Sequence, residues 1–287
     1  VKSRRSLLFA PANRTEVHAK ALAAGADLLC LDLEDAVPPE LKSQARTTGL
    51  RFLRHGAGSG PERVLRINAL RTHDGLRDIE AVLSDAPADG ILFLPKVQTP
   101  GEVDLAADLL ARHAPGLRLA VLIETVRGLE AAAEILQASG RIEFAMFGGV
   151  DLAADLGVPV AAEPLLYARQ RLVHAAALAG IDLIDVPCLA FRDTVMIEAE
   201  ALAARQLGFT GKAALHPAGI AAIHAAFDPS PDEIAQARRI VDAYQASPDG
   251  LAKINGRLVE RPVVRGAERI LAMAARLAPQ PTHPQET

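Results

Sequence analysis

Apolar runs of strand length recur about every 30 residues along the chain, and behind each one a few polar positions lead into a segment with helical periodicity. Eight runs fit this description: SLLFAP (6–11), LLCLDLED (28–35), RVLRINA (63–69), GILFLPKV (90–97), RLAVLIET (118–125), FAMFGGVD (144–151), DLIDVP (182–187) and KAALHP (212–217). Their apolar character is continuous and not alternating, which marks strands covered on both faces, as in a parallel sheet wrapped by helices. Eight such units predict a closed (β/α)8 barrel in preference to an open sheet.

Helix signals fill the gaps. Asn13 or Thr15 is placed to cap a helix through EVHAKALAA that Gly25 stops, and Leu129, Ala132, Ala133 and Leu136 form one apolar stripe ending near Gly140. GAGSGP (56–61) precedes a strand, so it reads as a loop and not as a phosphate cradle. Ser230-Pro231-Asp232-Glu233 combines a cap, a proline at the first helical position and a glutamate at the third, and opens a helix outside the eightfold count. Beyond it the pattern predicts a short hairpin around Asn255-Gly256, a last amphipathic helix in VVRGAERILAMAARLA and a disordered end, PQPTHPQET. The expected division is a barrel over 1–228 and a helical and hairpin extension over 229–287.

Two of the strands end on a carboxylate: Glu124 follows LAVLI and Asp151 follows FAMFGGV. Parallel strands deliver both acids to one end of the sheet, and a magnesium ion takes one or two protein carboxylates, leaving its other positions to water and an anionic substrate. Polar residues at strand C-termini are the active-site candidates of such a barrel: Asn13, Arg14, Glu34, Asp35, Arg66, Asn68, Lys96, Glu124, Asp151, Asp185 and His216. Arg66 lies within an apolar strand and needs a buried partner; it either pairs with Glu34 or Asp35 or stabilises an oxyanion or enolate, and the two roles are compatible. Glu34 and Asp35 face opposite sides of an extended strand, so one of them is expected at the barrel mouth, acting through waters on the metal or capping the loop. Lys96 and His216 are expected to make structural hydrogen bonds.

Composition narrows the class of function. Half of the 287 residues are hydrophobic and 3% aromatic, so Ala, Leu, Val and Ile must build the core. A net charge of −4 and the lack of Trp argue against nucleic acid. Two cysteines without metal-ligand spacing, Cys30 and Cys188, fit buried thiols in a reducing compartment, and the expected location is cytoplasmic. SRRSLLFAPANR resembles a twin-arginine leader, but its apolar run, Leu7–Ala12, is too short and contains a proline; no window is long enough to span a membrane.

The stretches RRSLLFAPANR, GADLLCLDLEDAVPPELKSQAR, VLRINAL, LFLPKV, LIETVRGL, FGGVDLAADLG and GFTGKAALHP resemble, in order and over nearly the whole chain, the citrate lyase beta-subunit-like proteins of the HpcH/HpaI aldolase/citrate lyase family. The resemblance implies a TIM (β/α)8 barrel with a C-terminal extension, and a magnesium-dependent carbon–carbon lyase of citryl, citramalyl or malyl thioesters carried on coenzyme A or an acyl carrier. By motif match it implies Glu124 and Asp151 as metal ligands, with Gly149 and Val150 beside them at the substrate, and Arg66 as the substrate-binding and catalytic arginine; Arg14 and the first loop are candidates for the coenzyme A diphosphate, set against a solvated arginine as the default. It implies a homotrimer in which the tail reaches over a neighbour's barrel mouth, and leaves open a set of citrate lyase partner subunits. Relatives carry an aspartate before Arg/Met-Pro in the tail as the proton-transfer group; here Glu260 in RLVERP stands there, with an arm longer by one methylene. Rival readings of the same residues are a malyl-CoA-type thioesterase, an aldolase acting on free hydroxy acids, and a non-catalytic subunit with a residual metal site.

Overall fold

In a closed parallel barrel, successive side chains of each strand alternate between the interior and the layer beneath the helices. The computed structural model describes residues 3–56, 58, 60–247, 252–254 and 257–277. Its eight parallel strands pair in chain order: β1 (Ser6–Pro11), β2 (Leu28–Asp32), β3 (Glu62–Arg66), β4 (Gly90–Leu94), β5 (Leu117–Ile123), β6 (Ile142–Phe147), β7 (Asp182–Asp185) and β8 (Gly211–Ala214). β8 pairs back onto β1 and closes the barrel, as the apolar runs predict. Around it lie α1 (His18–Leu22), α2 (Lys42–Arg54), α3 (His73–Asp85), α4 (Pro100–His113), α5 (Val126–Glu130), α6 (Ala132–Gln137), α7 (Gly149–Leu156), α8 (Ala162–Ala179), α9 (Thr194–Leu207) and α10 (Ile220–Phe227).

Two sets of buried side chains follow from the alternation. Leu7, Cys30, Val64, Phe93, Leu122, Phe144, Met146 and Ile184 belong to one cluster. The rings of Phe9, Phe93 and Phe144 meet at centroid distances of 6.4 and 5.5 Å although β1, β4 and β6 are not sheet neighbours, so this cluster is the barrel interior. Residues of the other parity, including Leu8, Leu29, Leu65, Leu92, Val121, Phe147 and Leu183, join the larger cluster shared with the helices.

The helices depart from expectation in two places. Neither Asn13 nor Thr15 caps the first one: the Arg14 amide donates to the Pro11 carbonyl at 3.1 Å, and the turn this makes runs through a 3-10 segment, Thr15–Val17, into an α1 of one turn that ends before Gly25. The stripe after β5 breaks at Ala131 into α5 and α6, with Leu129, Ala132 and Leu136 still buried. Cys30 and Cys188 are free and buried. No helix among the described residues is long and apolar enough to cross a membrane.

The chain divides into two compact units, one spanning Arg4–Phe227 and the other running on from Asp228. The second holds α11 (Pro231–Gln245), an antiparallel pair of strands, β9 (Ala252–Ile254) and β10 (Arg257–Val259), and α12 (Arg261–Leu277). Ser230 and Glu233 form the capping box their spacing predicts, the Ser230 amide donating to the Glu233 carboxylate at 2.7 Å. Val259 and Val264 pack with Ile240, Val241, Tyr244 and Ile254. The expected turn at 255–256 and the expected disordered end lie outside the described residues.

At the N-terminal end of the strands Arg4 gathers three acids: its guanidinium lies 2.9 Å from Glu62, 2.8 Å from Glu143 and 3.5 Å from Asp182. These belong to β3 and to the neighbouring strands β6 and β7, so one cation ties β3 to the β6–β7 pair across the barrel floor. Replacing Arg4 by Ala leaves three partly buried carboxylates facing one another and is expected to lower stability by about 2–3 kcal/mol, read from chemical denaturation.

Candidate active site

Strand parity assembles the site. On β2 the interior positions are Leu28, Cys30 and Asp32, and on β3 they are Val64 and Arg66, so the register that sets Cys30 beside Val64 also sets Asp32 beside Arg66. The pair is bidentate: Arg66 Nε donates to Asp32 Oδ1 and Nη2 to Oδ2, both at 2.7 Å. Amides of Glu34 and Ala36 also donate to Asp32, at 2.9 and 3.1 Å. Burial works against the Asp32 anion, yet Arg66 and these amides hold its pKa below the usual carboxylate range. Arg66 Nη1 sits 3.1 Å from Glu34 Oε2, and the guanidinium lies over the Phe9 ring at 5.2 Å. Burial would lower the Arg66 pKa, but Asp32 and Glu34 carry it above its ordinary value.

On β5 the interior sequence Ala120, Leu122 continues to Glu124, and on β6 Phe144, Met146 continues to Gly148. These two positions lie so close that a Cβ on residue 148 would stand 2.2 Å from the Glu124 Cβ and 3.0 Å from its Oε2; only glycine leaves room for the carboxylate. Glu124 is 1% exposed, and its Oε1 accepts the Lys96 amide at 2.8 Å. Its pKa is pushed up to about 8, first by burial and then by the charges of Glu34 and Asp151, which Arg66 and Lys96 only partly offset. Asp151 is not at a strand end as expected: β6 stops at Phe147, and Asp151 stands half-buried in the first turn of α7, where the helix dipole favours an anion.

Above these groups opens a cavity of about 450 Å³. Asp32, Asp35, Arg66, Glu124 and Asp151 line one part of it; Phe9, Leu122, Met146, Val186 and Leu189 line another. Four carboxylates thus face one guanidinium, and Asp32 already engages that guanidinium. The residues fit a hard divalent cation on two further observations. Gly148 leaves open the space beside Glu124 Oε2 that any Cβ would fill, and the raised pKa of Glu124 registers surplus negative charge. No group of three or more His, Cys, Asp or Glu among the described residues forms a ready-made metal cage, so a cation held by Glu124 and Asp151 would complete its shell with water and substrate oxygens, as magnesium does.

Several expected site residues lie elsewhere. Asp185 has the parity of Leu183, faces the helices and pairs with Lys212 at 2.9 Å and Arg169 at 2.8 Å. Asn68 lies beyond the end of β3 and bonds Asp78, Lys42 and the Leu33 carbonyl. His216 caps the Pro217–Gly219 turn through Nδ1, the structural bond expected of it. Glu34 and Asp35 do not alternate across a strand, because β2 ends at Asp32: Glu34 turns in toward Arg66 and Lys96, while Asp35 is largely exposed at the cavity rim. Gly149 lies against the Phe147 ring, and Val150 lines the cavity. Arg14 is exposed and pairs with Glu16 at 3.1 Å. Glu260, exposed between β10 and α12, belongs to the second unit. Sequence reasoning passed over Asp32, though its parity with Cys30 was the available signal.

The raised Glu124 pKa has a signed consequence. The folded protein keeps a proton on Glu124 up to about pH 8, while the unfolded chain loses it in the usual carboxylate range, so metal-free stability falls as pH rises through that window. A Mg2+ ion held by Glu124 would have to displace the proton, so its affinity is expected to rise about tenfold per pH unit up to pH ~8 and then level off. Calorimetric titration with Mg2+ at pH 6, 7, 8 and 9 checks this, and Glu124→Gln removes both the slope and the binding. Gly148→Ala is expected to cost about 1–3 kcal/mol of stability and at least tenfold in Mg2+ affinity.

A model of the HpcH/HpaI aldolase/citrate lyase family matches residues 5–217. A (3S)-malyl-CoA thioesterase of Cereibacter sphaeroides is 34% identical over 279 residues, 96% of this chain and 95% of the relative. The citrate lyase subunit beta of Escherichia coli is 32% identical over 285 residues, 95% of this chain and 94% of that one. Among solved structures, the protein CitE of Mycobacterium tuberculosis in complex with magnesium, acetoacetate and coenzyme A superposes with a TM-score of 0.79 at 32% identity, covering 95% of this chain and 98% of that one. With the barrel, the order of its strands and the match to residues 5–217 in agreement, the chain belongs to the HpcH/HpaI aldolase/citrate lyase family.

Proposed function

We propose that the protein is a magnesium-dependent carbon–carbon lyase that cleaves a 3-hydroxy-3-carboxyacyl thioester of the citryl, citramalyl or malyl type to a keto acid and an acetyl thioester. The observation that carries this is the pairing of a buried, charge-frustrated carboxylate, Glu124, with a guanidinium that Asp32 and Glu34 hold at the rim of the same cavity. Glu124 and Asp151 would hold the metal, and magnesium so bound supplies Lewis acidity that lowers the pKa of the substrate hydroxyl.

The chain's own groups supply the rest. The substrate hydroxyl gives its proton to a base, its oxygen becomes the carbonyl of the keto acid as the carbon–carbon bond breaks, and the electron pair of that bond moves into the thioester as an enolate. Arg66 spends its Nε and one Nη2 hydrogen on Asp32, which leaves hydrogens on Nη1 and Nη2 for the developing oxyanion. Two anionic neighbours fix its orientation before substrate arrives, so little reorganisation is needed. Phe9, Leu122, Met146, Val186 and Leu189 give the substrate's carbon skeleton an apolar wall beside these charges. Glu260 of a neighbouring copy in a homotrimer is our candidate to deliver the proton that the enolate carbon takes up. Coenzyme A is the carrier we favour, because the superposed Mycobacterium tuberculosis protein was solved with it.

A thioesterase reading rests on the 34% identity to the malyl-CoA thioesterase. Products separate the two. Incubation with malyl-CoA, citramalyl-CoA and citryl-CoA is expected to give acetyl-CoA and a keto acid with magnesium and neither with chelator; free CoA with an intact hydroxy acid would favour the hydrolase. Asp151→Asn and Arg66→Lys are each expected to lower kcat/KM by about 10²-fold or more, since each loses charge or bidentate geometry at the reacting oxygens.

A further inference from the structure

Lys96 stands out on backbone grounds. Its φ is +51, and the only other described non-glycine residue with positive φ is Ala86, the C-cap of α3. Left-handed backbone is costly for a residue with a Cβ and persists where the surroundings enforce it. Here they do. Val97, the next residue, is 1% exposed, and its carbonyl oxygen lies 2.3 Å from where a Cβ on Gly128 would stand, so the segment after β4 is locked against the first turn of α5. Glu124 immediately precedes Thr125, the N-cap of that helix.

The enforced backbone aims the Lys96 amide at Glu124 Oε1, at 2.8 Å. The side chain runs the other way: Nζ is 2.5 Å from Glu34 Oε1 and 3.4 Å from Asp35 Oδ1. Glu34 in turn meets Arg66 Nη1 at 3.1 Å through its other oxygen. Neither Lys96 nor Glu34 lines the cavity. We propose that Lys96 is a positioning residue with two separable duties, its amide fixing Glu124 for the cation and its ammonium, through Glu34, fixing the guanidinium of Arg66. Without the ammonium, Glu34 is free to rotate and Arg66 keeps only its bidentate hold on Asp32. Without the amide, Glu124 loses the donor that settles which of its oxygens is left for a ligand. The catalytic meaning of these duties rests on the lyase reading above, but the duties themselves are read without turnover.

The two are separated by a pair of variants. Lys96→Met keeps the amide and removes the charge; Gly128→Ala pushes the Val97 carbonyl and with it the amide, and leaves the ammonium. Two binding-level measurements apply: the Mg2+ dissociation constant by calorimetry at pH 9 without substrate, and the 15N side-chain resonances of Arg66, whose Nη signals stay distinct only while the guanidinium is held. Lys96→Met is expected to bind Mg2+ as tightly as wild type or tighter, to average the Arg66 Nη signals, and to lower kcat about 10²-fold, with Lys96→Arg restoring part of it. Gly128→Ala is expected to weaken Mg2+ about tenfold and leave the Arg66 signals distinct. Should Lys96→Met fold poorly, Lys96→Gly carries the same measurements, because glycine accepts the left-handed backbone and is expected to unfold at a higher temperature. The proposal is overturned if loss of the ammonium weakens Mg2+ as much as Gly128→Ala does, or leaves the Arg66 signals as in wild type. Failure of wild type to cleave any thioester would overturn the lyase reading and leave these two results to decide the role of Lys96.

Discussion

Closing eight parallel strands into a barrel forces one register on the whole mouth, and in this chain that register crowds negative charge. Asp32, Glu34, Glu124 and Asp151 gather around two cations, Arg66 and Lys96, and the imbalance shows in Glu124, whose proton is retained to about pH 8. A carboxylate held neutral by its surroundings is unstable ground for folding and good ground for a cation. In the proposed function a divalent ion would balance this charge, and the missing Cβ at Gly148 and the bidentate clamp on Arg66 hold the groups around it in place.

How much of this was legible in the sequence depends on which physical rule applied. Continuous apolar runs found all eight strands, because a strand buried on both faces has no polar alternation to obscure it. Short helices were harder. The stripe from Leu129 to Leu136 reads as one helix, but the backbone leaves the helical conformation at Ala131, and no residue in the stripe is a helix breaker that would signal it. Arg66 was found by its isolation in an apolar strand. Asp32 was missed for the opposite reason: it sits one residue inside a run of strong strand formers and looked like part of the strand.

Parity would have sorted the candidates better than proximity to strand ends. Cys30 and Asp32 point the same way, as do Leu122 and Glu124, whereas Asp185 shares the parity of Leu183 and so joins Lys212 and Arg169 beneath the helices. The rule fails where the strand stops early. Glu34 and Asp35 fall after β2 has ended, and Asp151 falls in the first turn of α7, so their directions are set by turns that local propensity does not specify. Lys96 is the extreme case, since nothing in LFLPKV announces a left-handed lysine.

The most direct test of the central claim, that Glu124 and Asp151 together hold a divalent cation, is anomalous diffraction from a crystal grown with Mn2+ in place of Mg2+. The account predicts one strong peak in contact with an oxygen from each carboxylate, at roughly the 2.0–2.2 Å expected of a small hard cation, with Arg66 still clamped by Asp32. A peak bound by only one of the two acids, or a mouth that stays free of manganese at pH 9 where Glu124 is ionised, would contradict it.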